Sequence, residues 1–263
     1  MDVQENAEIK TRMVGVLWGD AKVGKTTYAM SLPGKKLLIN FDPDGYLSVA
    51  NRSDFDLIDL SEMTALEAGN QAEKLGAYIV DNKDKYQSVV LDSLTTLVEM
   101  SLNYAIQKGV GKSSGFTPSI LTPGLSAYGG RNNIFNDVIS RVLRATSLAN
   151  MHVFMIAHNA DALVDEKGNQ ISQTIMLPDK TRNMTALKSS EIWHINQTRS
   201  GRTIYVKPFG IKAPMGSRII NTDKLSSFVL NYDPSVPDAD QPHALANIYQ
   251  TWIDGDKQKL VTI

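Results

Sequence analysis

At 263 residues, 42% apolar and 21% charged, the chain has the size and composition of one large α/β domain or two small ones. The absence of cysteine excludes disulfides and thiolate metal sites. No run approaches 18 apolar residues, which excludes a membrane-spanning helix, and the acidic start MDVQENAEIK is unlike a secretory signal, so a cytoplasmic protein is expected.

Met13–Leu17 (MVGVL) is a short apolar run bounded by turn residues, the pattern of a buried strand. Immediately after it, Gly19-Asp20-Ala21-Lys22-Val23-Gly24-Lys25-Thr26 fits G-x-x-x-x-G-K-[ST] in full, and a helical stretch, Lys25–Ser31, follows. Strand, loop and helix together form the context that a phosphate-binding loop requires. Gly19 and Gly24 are expected to let the backbone curl so that N–H groups from Gly19 through Thr27 face a phosphate chain, with the helix start adding its positive end. Lys25 supplies a point charge for the β- and γ-phosphates, and the Thr26 hydroxyl suits Mg²⁺, which prefers oxygen ligands. ATP with Mg²⁺ is the expected ligand.

Lys36–Phe41 (KLLINF) is the second strand. It ends in Asp42-Pro43-Asp44-Gly45, where Asp42, or failing it Asp44, can orient a water for hydrolysis. The alternative is a plain turn built from turn-forming residues. Ala65–Val80 has helical periodicity. Ser88–Leu91 (SVVL) is a third strand ending in Asp92, about 65 residues beyond the phosphate loop. An acid there holds Mg²⁺ through water; the alternative is that it caps the following helix, Leu94–Gln107. Lys108–Gly130 is rich in Gly, Ser, Thr and Pro and takes no assignment. Asn132–Ala149 is helical.

His152–Ala157 (HVFMIA) is the fourth strand, with His158 directly after it, near the nucleotide and able to hydrogen-bond the γ-phosphate. A structural histidine is the alternative. Asn159–Arg182 is polar, and its Lys167-Gly168-Asn169 turn can tip a small hairpin. Strands alternating with helices imply βαβ units and a mainly parallel sheet. Beyond Ala157 the pattern shifts to shorter strands, Ile192–Thr198, Thr203–Lys207 and Ser226–Leu230, joined by turns such as Ser200-Gly201. These form an antiparallel or mixed extension. A last amphipathic helix near Ala244–Trp252 turns Leu245, Ile248 and Trp252 to the core. No repeat or linker interrupts the chain, so residues 1–263 are read as a single domain, with a core at about 10–220 and a strand-and-helix extension at about 221–263.

The net charge of −1 hides a split. Asn40–Met100 carries 12 acidic and 4 basic residues, whereas Lys180–Lys224 carries 9 basic and 2 acidic ones. A basic third suits a polyanion or an acidic neighbouring subunit.

Trp18–Thr27, Ser31-Leu32-Pro33, Leu37–Asp42 and Val89–Ser93 together resemble the phage-encoded RecA-like P-loop ATPases. That group includes the short RecA-core single-strand annealing proteins and the AAA-domain phage nucleotide-binding proteins. Ala157-His158 and the late block from Arg202–Lys207 to Lys212-Ala213-Pro214 extend the resemblance over about residues 10–220. It implies an α/β fold, a RecA-like core with a mainly parallel sheet flanked by helices and an antiparallel C-terminal extension. It also implies a DNA-stimulated, slow ATPase acting on single-stranded DNA in recombination, annealing or replication, in a bacterial host cell. Asp42 stands where the family more often has Glu, and Asn40 where it often has Asp. The two DNA loops of such cores fall at Lys108–Gly130 and Asn159–Arg182, with Lys108, Lys112, Arg131, Lys180 and Arg182 as phosphate contacts. With few aromatics (Phe116, Tyr128), binding would rest on charge and weaken with salt. RecA-like assemblies complete each ATP site with a neighbour's cation; Lys207 and Lys212 occupy the matching positions, with Arg202 and Arg218 as alternatives. A head-to-tail ring or filament follows, with a single-strand-binding protein as a further partner. Two other readings compete: a small-molecule phosphotransferase, which usually carries an arginine-rich lid where Asn159–Arg182 holds a single Arg, and a nucleotide-gated assembly or packaging factor acting on a protein.

Overall fold

Six consecutive residues, Val14–Gly19, are buried and form β1, flanked on both sides by other strands. The structure, a computed structural model, describes residues 11–263 apart from Ser114, Ser200, Tyr232, Pro234, Pro242 and the side chains of Thr198 and Ala239. The MDVQENAEIK segment and half of the Ser200-Gly201 turn therefore lie outside the described residues.

After β1 come α1 (Lys25–Ala29), β2 (Lys36–Asn40), β3 (Phe55–Asp59), α2 (Ala65–Ala72), α3 (Leu75–Asp81), β4 (Ser88–Asp92) and α4 (Leu94–Gln107). Then follow α5 (Gly124–Leu148), β5 (His152–His158), β6 (Leu163–Val164), β7 (Gln170–Ser172), α6 (Asp179–Lys188) and β8 (Glu191–Thr198). The chain finishes with β9 (Gly201–Tyr205), β10 (Gly216–Ser217), β11 (Ser227–Leu230) and α7 (Leu245–Asp254). The main sheet runs β11-β9-β8-β1-β5-β4-β2-β3, with β10 beside β8 and the β6–β7 hairpin separate. The strands from β8 to β3 are mutually parallel, while β9, β10 and β11 pair antiparallel. The α/β class, the parallel core and the antiparallel C-terminal strands are as expected. β8 differs in detail: it lies parallel to β1 and continues the core before the antiparallel strands begin.

The two-residue period of the strands sorts their side chains into two cores. Val14, Val16 and Trp18 of β1, with Val89 and Leu91 of β4, join the core that α2–α5 cover. Leu17, Val90, Phe154 and Trp193 join the opposite core, where Leu245, Ile248 and Trp252 of α7 pack as the helical spacing predicts.

Several expectations are corrected. The helix over Ala65–Val80 is two helices, broken between Ala72 and Leu75; α2 starts at a full capping box between Thr64 and Glu67. α5 begins at Gly124 and runs 25 residues, taking in the end of the segment that Gly and Ser made look irregular. Tertiary packing overrides propensity there, because Gly130 lies close against Ala105 and Val110. α6 likewise forms at the end of Asn159–Arg182. The hairpin at Lys167-Gly168-Asn169 is present; the Asp165 carboxylate accepts from the backbone N–H groups of Lys167 and Asn169. β3 was missed because its residues are only half buried at the sheet edge. Among the described residues, no helix is long and apolar enough to cross a membrane.

The parallel register brings strand ends together. Gly19 lies opposite His158, and Asn40 opposite Asp92. Their carboxyl ends form the rim on which the site is built.

Candidate functional site

A cleft of about 580 Å³ opens at this rim, lined by Ala21, Lys22 and Gly24–Thr27 of the loop, the turn from Asp42 to Gly45, and Ser48, Asp92, His158 and Arg202. The loop adopts the curl the motif demands, at Lys22 and Gly24, which take left-handed φ values of 63° and 89°. Gly19 has a different reason to be glycine. It ends β1 with no positive φ, and a methyl group placed on it would lie 2.3 Å from the Ile195 carbonyl oxygen of β8.

Lys25 is buried. Its Nζ donates to the carbonyls of Gly19 at 3.1 Å and Asp20 at 2.5 Å, and lies 3.3 Å from His158 Nδ1. Burial lowers its pKa to about 8, against the pull of Asp92, Asp20 and Asp42, so the ammonium still predominates at neutral pH. Thr26 Oγ1 donates to Asp92 Oδ2 at 2.5 Å. The Asp92 carboxyl is buried at the end of β4, and that burial, reinforced by repulsion from Asp42, lifts its pKa to about 6 despite the Thr26 bond. An anion this poorly solvated is stabilised by a cation. The Thr26–Asp92 pair offers two neighbouring oxygens, the donor type Mg²⁺ takes beside phosphate oxygens and water. No group of three acidic, His or Cys side chains that could hold a metal occurs among the described residues. The alternative role for Asp92 fails: Ser93, joined to it by a cis peptide, is the N-cap of α4.

Asp42 follows β2 and turns inward. The Asp42–Gly45 segment is a turn, with Gly45 N–H donating to the Asp42 carbonyl, and the same turn aims the carboxylate. Asp42 Oδ1 accepts from Ser93 Oγ at 2.9 Å and from Thr96 Oγ1, and Oδ2 lies 3.6 Å from His158 Nε2. Burial pushes its pKa up, but the bonds from His158, Thr96 and Ser93 outweigh it and hold the group below the usual carboxylate range. Asn40 donates to the Asp42 carbonyl at 2.7 Å and to Asp59 Oδ1 at 2.9 Å. An aspartate there could not donate to either, which accounts for the amide at this place. His158 bridges Lys25 and Asp42. Because the ammonium can only donate, Nδ1 accepts from it and the Nε2 proton faces Asp42. Asn159 extends the rim: its N–H donates to the Gly19 carbonyl, and its Nδ2 donates to Asp20 Oδ1 at 2.6 Å.

Lys207, Lys212 and the five DNA contacts named from the sequence lie outside this lining. Lys207 is exposed and pairs with Asp223 at 2.9 Å. Lys212 sits 3.3 Å from Nε2 of buried His194, which packs edge-on against Trp18 just before the loop. Burial lowers the Lys212 pKa and, with the nearby Lys212 and Lys25 charges, takes His194 down to about 3. Lys108 lies over the Tyr104 ring and Arg131 over the Tyr128 ring, each at 5.1 Å, and Lys112 is exposed. Lys180 and Arg182 are on α6, where Arg182 pairs with Asp179. At 1.5 Å per residue, the 14 residues of α4 set Lys108 roughly 20 Å along the helix from Asp92. Two features escaped the sequence reading. The Ser93 and Thr96 hydroxyls that hold Asp42 were visible only as a cap-like spacing. Arg202, expected to serve a neighbouring subunit if any, lines this chain's own cleft.

No curated protein matches the chain. A family profile described as an AAA domain matches residues 11–228, which takes in every strand of the parallel core and the whole cleft. The chain belongs to the AAA domain family of P-loop NTPase-like proteins.

Proposed function

We propose that this protein binds ATP with Mg²⁺ and hydrolyses it slowly, as a RecA-like phage protein acting on single-stranded DNA in recombination, annealing or replication. The observation that carries the reading is the convergence of Lys25, Thr26, Asp92, Asp42 and His158 on one cleft. Gly19–Thr27 cradle the phosphates and Lys25 meets the growing charge. Thr26 and Asp92 would hold Mg²⁺, which would neutralise charge on the phosphate oxygens. Asp42, clamped by Ser93 and Thr96, accepts a hydrogen bond from a water and aims its oxygen at the γ-phosphorus. As that P–O bond forms, the bond to the β-bridging oxygen breaks, ADP leaves and the water proton passes to Asp42. The His158 proton facing Asp42 keeps that carboxylate ionised and oriented. The methylene that Asp lacks relative to Glu sets the carboxylate back, which fits slow turnover.

Copies assemble head to tail, the acidic Asn40–Met100 face of one meeting the basic Lys180–Lys224 segment of the next, in a ring or filament. Lys207, exposed and paired with Asp223, is offered to the neighbour's triphosphate, with Lys212 as a second cation. DNA contacts fall to Lys108, Lys112, Arg131, Lys180 and Arg182. ATPase assays with and without single-stranded DNA test the reading: stimulation is expected. No stimulation and no DNA binding at low salt would remove the DNA role, and phosphate transfer to a nucleoside monophosphate would replace hydrolysis with a kinase function. A Lys207→Ala/Lys212→Ala variant should bind ATP normally and hydrolyse it poorly.

A further inference from the structure

Lys22, Lys25 and Arg202 are the cations in the cleft lining. Lys22 is exposed, and Lys25 is tied to the loop's own carbonyls. Arg202 comes from the other side, on β9. Its Nη1 would lie 2.9 Å from a methyl group placed on Gly24, so the guanidinium rests on the turn of the phosphate loop. It pairs with no carboxylate among the described residues, although Asp42, Asp44 and Asp92 share the same cleft.

The Arg202 backbone is fixed. It is paired to Gln197 of β8 on one side and Leu230 of β11 on the other, and β8 in turn is paired to β1. The distance from Arg202 to Gly24 is therefore set through three strands, not by a mobile arm. A planar guanidinium resting on the turn of the phosphate loop, with no carboxylate partner among the described residues, matches two oxygens of a phosphate chain.

We propose that Arg202 binds the polyphosphate of the nucleoside triphosphate held by its own chain, closing the phosphate loop from the β9 side, and does not serve a neighbouring subunit. This rests on the nucleotide reading above and adds a ligand to it. The consequence is a site whose phosphate grip is complete in one chain, even if hydrolysis still waits on assembly.

The test measures Mg²⁺·ATP and Mg²⁺·ADP affinity for wild type, Arg202→Gln and Arg202→Lys, with circular dichroism as the folding check. Loss of a charge-assisted bond predicts about tenfold or greater weakening of ATP binding in Arg202→Gln, with partial recovery in Arg202→Lys. A complementation assay then mixes Arg202→Gln with Lys25→Ala. With Arg202 acting within its chain, no subunit in the mixture has both groups, and at subsaturating ATP activity stays at the level of the Arg202→Gln variant alone. Recovery of activity on mixing, or an Arg202→Gln affinity equal to wild type, overturns the proposal. Wild-type protein that binds no nucleoside triphosphate would instead bring down the nucleotide reading, and this inference with it.

Discussion

The cleft and the tip of the α4–α5 pair are built on opposite principles. In the cleft the three innermost charged groups are each held by neighbours: Lys25 by two carbonyls and His158, Asp92 by Thr26, Asp42 by Ser93, Thr96 and His158. At the tip, Leu121 and Leu125 are 92% and 91% exposed, and Phe116, Ile120 and Tyr128 stand open beside Lys112. Cations there rest on rings, Lys108 on Tyr104 and Arg131 on Tyr128. The cleft is specified by geometry, so one atom changed is expected to be felt throughout. The tip is specified by composition, so its residues should act one by one, in proportion to charge and area.

The sharpest way to break that contrast is Lys25→Ala. It removes the only buried cation of the loop, and kcat/KM for ATP should fall by about a thousandfold or more. A fall of only a few-fold would mean the cleft is no more specified than the tip. Next comes Asp42→Asn, which keeps shape and removes charge. We expect about a hundredfold loss in kcat with ATP affinity retained, read by separating single-turnover rate from binding.

Asp92→Asn should divide function from stability. The Asp92 pKa of about 6 lies above that of a free carboxylate, so ionising it in the folded protein costs stability. That cost accumulates as pH rises from about 4 to 6 and is fully present above, on the order of 3 kcal/mol. Nucleotide-free Asp92→Asn should therefore melt higher than wild type at pH 7, with the gap closing near pH 4, while Mg²⁺-dependent activity is lost. In the wild type the same titration should make Mg²⁺-dependent ATP binding fall as pH drops below about 6. The smallest effects are expected at the tip. Alanine at Lys108, Lys112 or Arg131 should each lower the salt slope of single-stranded DNA binding by about 0.7 and leave ATP affinity unchanged. Coupled, non-additive losses there would show the tip to be a built site after all.

The same contrast governs what could be read from the chain. That the phosphate loop, Asp42, Asp92 and His158 would meet in one cleft was legible because each follows a strongly apolar run, and parallel pairing brings such ends together. β3 was not, because a half-buried edge strand such as Phe55–Asp59 carries little periodicity. The first eight residues of α5 were hidden by Gly124, Gly129 and Gly130, of which only Gly130 packs closely against Ala105 of α4. The place of Arg202 was beyond sequence reasoning. It depends on β8 lying parallel to β1, a pairing between segments more than 170 residues apart for which neither segment holds a local signal.

Gly19 carries a warning for anyone re-engineering this protein. Its hydrogen atoms face the Ile195 carbonyl, so even alanine would wedge β8 away from β1 and carry β9 and Arg202 with it. A Gly19 variant that loses activity would report a displaced sheet as readily as a damaged phosphate grip. Libraries meant to retune nucleotide preference should hold position 19 constant and vary Asp20, Ala21 and Lys22, whose side chains are exposed.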